Sequence, residues 1–192
     1  MISIAEVVSY PEDGQRRLIG GNMVAINTYN NLLSTDIISM LDRATDRTIA
    51  LDEHISLLRD YGNQTNERIM VLDEQIADLN AIVTRDATDI ESSKAEMQSS
   101  YINLDYTDVD VAISRYTKAK QTDIRARVYL VYLQNFRELY IKLQSKNKNL
   151  IEVLSSNREA LIKRAVVTIP SSGTNLLKDL DLIQTESEAK AI

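Results

Sequence analysis

The stretch YGNQTNERI, residues 61–69, decides how this chain folds. On both sides of it the sequence has the repeat of a helix with an apolar seam. One column, seven residues apart, reads Leu41, Thr48, Ile55, Gly62, Ile69, Ile76, Val83, Ile90, Met97. A second, three positions on, reads Ala44, Leu51, Leu58, Thr65, Leu72, Leu79, Asp86, Ser93. This is a coiled-coil heptad, and its phase before Gly62 equals its phase after it. An irregular loop has no reason to preserve phase. The spacing therefore predicts one helix over 36–100, weakened but unbroken at 62–67. A glycine inside a helix costs about 1 kcal/mol against alanine, which a helix of this length absorbs.

The helix is expected to stop at SSYINLDYTD, where Asn103 suits a left-handed helix end. Thr107, Asp108 and Asp110 then give a start signal, and a second periodic segment runs from Asp108 to about Val166, with Lys163 and Arg164 at its end and Pro170 beyond. Two arms of roughly 90–100 Å, at about 1.5 Å per residue, joined by a short connection imply an antiparallel helical hairpin. If the chain bends at Asp105–Tyr106, facing residue numbers sum to about 211. The polar window 62–67 then lies opposite QSKNKN, 144–149. Asn63, Gln64, Gln144 and Asn147 are the candidates for a polar layer that fixes the register, because slipped registers would set amides against leucines. The competing reading makes both windows loops and the rod a hinged one.

Composition agrees with helices. The chain has 192 residues with only 2 Pro and 5 Gly, and 44% of it is hydrophobic. No window is long and apolar enough for a transmembrane helix, and MISIAEVVSY lacks the pattern of a signal peptide. The cytoplasm is therefore the default compartment, with an extracellular assembly the alternative. With no cysteine, disulfides and thiolate metal sites are excluded. The net charge of −6 argues against nucleic acid. Residues 36–100 carry 14 acidic and 6 basic side chains, and residues 108–166 carry 6 acidic and 12 basic, so the arms have opposite sign and attract.

The segment VYLVYLQNFRELYIKL, 128–143, is apolar on nearly all sides, and by register it faces 68–83. A two-helix hairpin buries one stripe per arm. The second stripe needs a cover: the N-terminal segment, the C-terminal segment or another copy of the chain. Tyr129, Tyr132, Phe136 and Tyr140 form an aromatic stripe for which core packing is the first reading and a subunit interface the second; with Ile69, Leu72 and Ile76 on the other arm they are the interface candidates. Residues 15–35 are expected to be helical, either running on into the first arm or folding back at 34–36, where Ser34 or Asp36 could cap a new helix. Leu176, Leu177, Leu180 and Ile183 mark a short amphipathic helix after Pro170. YPEDG and IPSSG share Pro-x-x-Gly and are expected to be turns. The chain thus divides into an N-terminal extended segment and helix, 1–35, a hairpin, 36–166, with its tip at 101–107, and a turn, short helix and polar tail, 167–192.

Chemistry is sparse. His54 is the one histidine and has no Cys or second His to join it on a metal. Asp105, Asp108 and Asp110 at the tip lack the glycine and closing glutamate of an EF-hand. Asn63-Gln64-Thr65 fits a glycosylation sequon, but a helix interior is a poor acceptor. There is no phosphate loop, nucleophile elbow or dinucleotide fingerprint. The expectation is an all-α protein built on a long, coiled-coil-like antiparallel hairpin with shorter N- and C-terminal helices. It is not expected to be an enzyme, nor to need a cofactor or metal. The favoured role is a structural rod that self-associates into an oligomer or filament. One alternative is an adaptor that binds a different protein through its tip, at Tyr101, Leu104 and Tyr106. The other is a membrane-active hairpin, disfavoured by the polar tip and the acidity.

Overall fold

The structure, a computed structural model, describes residues 11–103 and 106–169, with side chains from Gly20 onward except that of Tyr106. The fold is all-α. Helix α1 is Pro11–Leu33, α2 Ile37–Arg43, α3 Arg47–Ile102, α4 Tyr106–Ser156 and α5 Arg158–Ile162. The two long helices α3 and α4 pack against each other, and no strand occurs among the described residues.

Helix α3 runs unbroken through 62–67, as the preserved phase requires. Its column Leu51, Leu58, Thr65, Leu72, Leu79, Asp86, Ser93 is buried at every position. On α4 the matching column is Ala112, Ala119, Ala126, Leu133, Tyr140, Asn147, Leu154, again buried throughout. Facing pairs have numbers close to the expected 211: Arg158 with Asp52, Gln144 with Asn66, Arg115 with Glu96.

Four local expectations are corrected. The first arm does not start at 36. Asp36 caps the short α2, accepting from Ser39 N at 3.2 Å, and α2 ends at Arg43. Asp46 then caps α3, accepting from Thr48 N at 2.8 Å and Ile49 N at 3.1 Å, so two donors that would be orphaned at a helix start are satisfied there. The second arm does not run whole to 166. Asn157 turns its side chain back to Val153 O at 2.9 Å, α4 stops at Ser156, and α5 follows. Among the described residues a positive φ at a non-glycine occurs only at Arg164, so Asn103 ends α3 without a left-handed turn. Finally, Pro11–Gly14 form the first turn of α1 rather than a loop, because proline at the first helical position loses no needed donor. The second Pro-x-x-Gly, at Pro170, and the expected helix around Leu176–Ile183 lie outside the described residues.

The end of α5 is built with care. Ala165 N bonds Ala160 O at 2.8 Å and Arg164 N bonds Leu161 O at 3.4 Å, with Arg164 at φ 60°. This is a Schellman ending with arginine where glycine is usual. Arg47, at the start of α3, donates to the same Leu161 carbonyl at 3.2 and 2.8 Å.

The chain forms two compact units. One contains, among the described residues, 11–19, 73–103 and 106–134; the other contains 20–72 and 135–169. The second is a three-helix arrangement. Within it α1 folds back over α3 and α4: Tyr29 stacks on Tyr61 with ring centroids 5.6 Å apart, and Tyr140 Oη donates to Asn22 Oδ1 at 3.0 Å. The helix α1 therefore runs alongside α4 and opposite to α3.

Candidate functional site

Within the second unit the sequence-derived polar layer becomes a specific piece of geometry. Asn147 is buried and donates through Nδ2 to Leu58 O at 2.8 Å. To do so it crosses Gly62, where an alanine Cβ would stand 2.9 Å from that nitrogen. The glycine that weakens the heptad is thus the residue that admits the amide. Gln144 donates to Asn66 Oδ1. Asn63, Asn66, Gln144 and Asn147 line one open cleft with Arg59, Lys148 and Glu152. Gln64 does not join them. It lies one helical step round, on the cleft beside α1 with Thr28, Tyr29, Tyr61 and Arg68.

The layer extends further than its amides. Thr65 is buried in α3, and Tyr29 of α1 approaches both Thr65 and Asn147. Burial pushes the Tyr29 phenol up to about 12, against the downward pull of those two neighbours. The amide oxygens of Asn27, Asn30 and Asn147 are buried and complete no hydrogen bond. A buried polar atom left in that state costs about 1–3 kcal/mol. Gly62, Asn66 and Tyr29 were absent from the sequence-derived set. The signal for Gly62 was its place in an apolar column, and for Tyr29 its place among the apolar residues of the helical stretch 15–35.

The aromatic and aliphatic interface candidates lie inside the chain's own core. Tyr129, Phe136, Tyr140 and Leu72 are buried; Tyr132, Ile69 and Ile76 are half-buried. Burial raises the pKa of both Tyr129 and Tyr140. In the second unit the cover is α1, through Asn22, Ile26, Tyr29, Asn30 and Leu33, so the apolar surplus at Tyr140 is met by the N-terminal segment of the same chain.

In the first unit the picture differs. Tyr101 and Ile102, at the end of α3, are 68% and 79% exposed. Of the other tip candidates, Leu104 lies outside the described residues, and Tyr106 opens α4 with its side chain outside them. Farther along α4, Ile113 and Ile124 are 46% and 50% exposed. Eleven residues apart, they occupy the same face three turns on. Asp86 and Ser93 are buried in the seam; Arg85 donates to Asp86 Oδ1 at 3.1 Å, while Asp86 Oδ2 has no partner. Arg115 pairs with Glu96 at 3.1 Å across the helices.

His54 is buried, its Nε2 has no partner, and burial lowers its pKa. Among the described residues no group of three His, Asp or Glu side chains is placed to hold a metal ion. No described helix is long and apolar enough to cross a membrane. The arrangement thus defines a class, an antiparallel helical pair with a polar seam layer and an N-terminal helix laid over one part of it. Compared with protein-family models, curated proteins and solved structures, the chain matches none.

Proposed function

We propose that this chain is a non-enzymatic structural protein whose helical pair self-associates into an oligomer or filament. The observation that carries the reading is the pair of exposed isoleucines, Ile113 and Ile124, on one face of α4 in the first unit. Two packed helices bury one stripe each, and large apolar side chains on another face are available to a further helical neighbour. Charge supports it. Arg158–Asp52 and Arg115–Glu96 join the arms, whereas Lys94–Glu91, Arg127–Asp123 and Lys163–Glu159 stay within one helix. Exposed charges of opposite sign, such as Glu74 and Asp89 on α3 and Lys118 and Lys120 on α4, are available to the unlike arm of a second copy.

Size-exclusion chromatography with light scattering at rising concentration tests this. The wild-type chain should grow beyond monomer mass, and Ile113→Asp with Ile124→Asp should return it toward monomer. A wild-type monomer throughout the range refutes the reading. The exposed Tyr101 and Ile102 favour a second one, in which the tip docks a different protein. Under the first reading Tyr101→Asp with Ile102→Asp leaves the self-association intact; its loss in that variant would move the contact to the tip.

A further inference from the structure

Three observations about α1 belong together. Of its five buried positions in the second unit, Asn22, Ile26, Tyr29, Asn30 and Leu33, two are asparagines, and the buried amide oxygens of Asn27 and Asn30 are unbonded. The helix also contains Gly20 and Gly21 in succession, and at neither would a Cβ meet any atom within 4 Å. These glycines weaken the helix without serving any close approach, in contrast to Gly62. Lastly, α1 ends at Leu33 and α2 begins at Ile37, so only residues 34–36 connect the covering helix to the rest. A helix held by a half-polar face, weakened at its middle and tied by a short connection has the features of a segment that exchanges between copies.

We infer that α1 is an exchangeable strap, and that the groove it leaves on α3 and α4, walled by Tyr61, Thr65, Arg68 and Tyr140, is taken by α1 of a second copy. A second copy is the fitting occupant because the groove's features are specific to this helix. Tyr61 offers a ring face to Tyr29, and Tyr140 offers a hydroxyl to the Asn22 amide oxygen. Thr65 and Asn147 stand near the Tyr29 hydroxyl, which is buried and completes no hydrogen bond. Exchange restores each of these between chains, at no loss of contact and with two copies joined. The inference goes beyond the function proposed above: it uses faces of the second unit and does not require Ile113 or Ile124.

The chain has no cysteine of its own, which permits a direct test. Thr28 and Gln64 are exposed and line the same cleft between α1 and α3. A full-length chain carrying Thr28→Cys is mixed with a mass-labelled chain carrying Gln64→Cys, incubated, and treated with a short bismaleimide. A covalent dimer of the two different chains is expected. Each Gly→Ala in a helix interior shifts opening about fivefold, so adding Gly20→Ala and Gly21→Ala should slow dimer formation about 25-fold. The chain carrying both cysteines controls for geometry, since it should link wherever α1 is seated, within one copy or between two. If it links only within itself and no mixed dimer appears, exchange is overturned; if it links neither within a copy nor between copies, the placement of α1 is overturned too. Repeating the mixture with Ile113→Asp and Ile124→Asp keeps the two proposals apart. Mixed dimers that persist there support the strap alone, and mixed dimers lost there show that the contact runs through the α4 isoleucines instead.

Discussion

Gly62→Ala should destabilise this protein although alanine is much the better helix former. In isolation the change would stabilise α3 by about 1 kcal/mol. Against that, the new Cβ would sit 2.9 Å from Asn147 Nδ2, closer than real Cβ contacts allow. Asn147 cannot simply swing into water, because it is buried and Nδ2 already bonds Leu58 O at 2.8 Å. Displacing it breaks that bond and leaves a buried amide short of a partner, a loss of about 1–3 kcal/mol. With about 2 kcal/mol as the middle of that range, the net effect is a destabilisation of about 1 kcal/mol.

The sign should reverse when the obstruction is removed. In an Asn147→Ala background nothing opposes the Cβ, and Gly62→Ala should stabilise by about 1 kcal/mol, giving a coupling of about 2 kcal/mol between the two sites. Denaturant unfolding of the four proteins, followed by far-ultraviolet circular dichroism and compared at constant slope, measures this directly. Equal stabilisation by Gly62→Ala in both backgrounds would refute the reasoning. It would mean that Asn147 does not cross at Gly62, and the register built on that contact would fall with it.

Arg164 holds a left-handed backbone at φ 60°, so Arg164→Gly should raise stability by about 1 kcal/mol, read as a higher unfolding midpoint. Arg47 donates two hydrogen bonds to the Leu161 carbonyl, and Arg47→Met should cost about 1.5 kcal/mol in the same assay, more than Arg158→Met, whose ion pair with Asp52 is open to solvent. For His54 burial lowers the folded-state pKa below the unfolded value of about 6.5. Above about pH 6.5 both states are neutral there and nothing changes; as the pH falls below it, the unfolded chain takes up a proton that the folded chain resists, and stability drops. His54→Gln should flatten the pH dependence in that window. The contributions of Asp36 and Asp52, whose pKa values are lowered by Ser39 and Arg158 respectively, persist until about pH 4 and vanish only below it. An unchanged slope between about pH 6.5 and 5 in His54→Gln would show that the imidazole is reached by water in the folded state.

The features legible in the sequence were those set by periodicity. A heptad that keeps phase across Gly62 favours a continuous helix over two loops and a hinge, and two polar windows equidistant from a bend set a register to within a residue or two. The breaks at Ala44–Asp46 and at Asn157 were hidden because the apolar columns continue across them: Ala44 and Leu51, or Leu154 and Leu161, keep the spacing although the backbone departs from helix. There the decision is made by side chains competing with the backbone, Asp46 for two N–H groups and Asn157 for the Val153 carbonyl. Gln64 was misplaced for a related reason. A window of six residues covers more than a full helical turn, so its members cannot share one face. Of its polar side chains Asn63 and Asn66, three apart, reach the cleft that holds Gln144 and Asn147. The cover supplied by α1 was one of three candidates in the sequence. The choice among them rests on Tyr29 meeting Tyr61 and Asn22 meeting Tyr140, contacts that no spacing rule foresees.

The two columns that meet along the seam change character between the units, and the change bears on why a second copy would be needed. In the second unit the buried column of α3 is Leu51, Leu58, Thr65 and Leu72, and that of α4 is Tyr140, Asn147 and Leu154. In the first it is Leu79, Asp86 and Ser93 against Ala112, Ala119, Ala126 and Leu133. Alanine in place of leucine removes three carbons, so each such position gives up about 2.4 kcal/mol of burial at about 0.8 kcal/mol per methylene. Asp86 adds a buried oxygen without a partner. Small residues let the helices approach closely, but they leave a seam that contributes little of the burial holding this unit together. Such a segment gains most from anything that binds its folded form. It is also the segment that exposes Tyr101, Ile102, Val111, Ile113 and Ile124. The thin seam and these exposed side chains lie in the same unit, and one external helix laid along α4 would offset both.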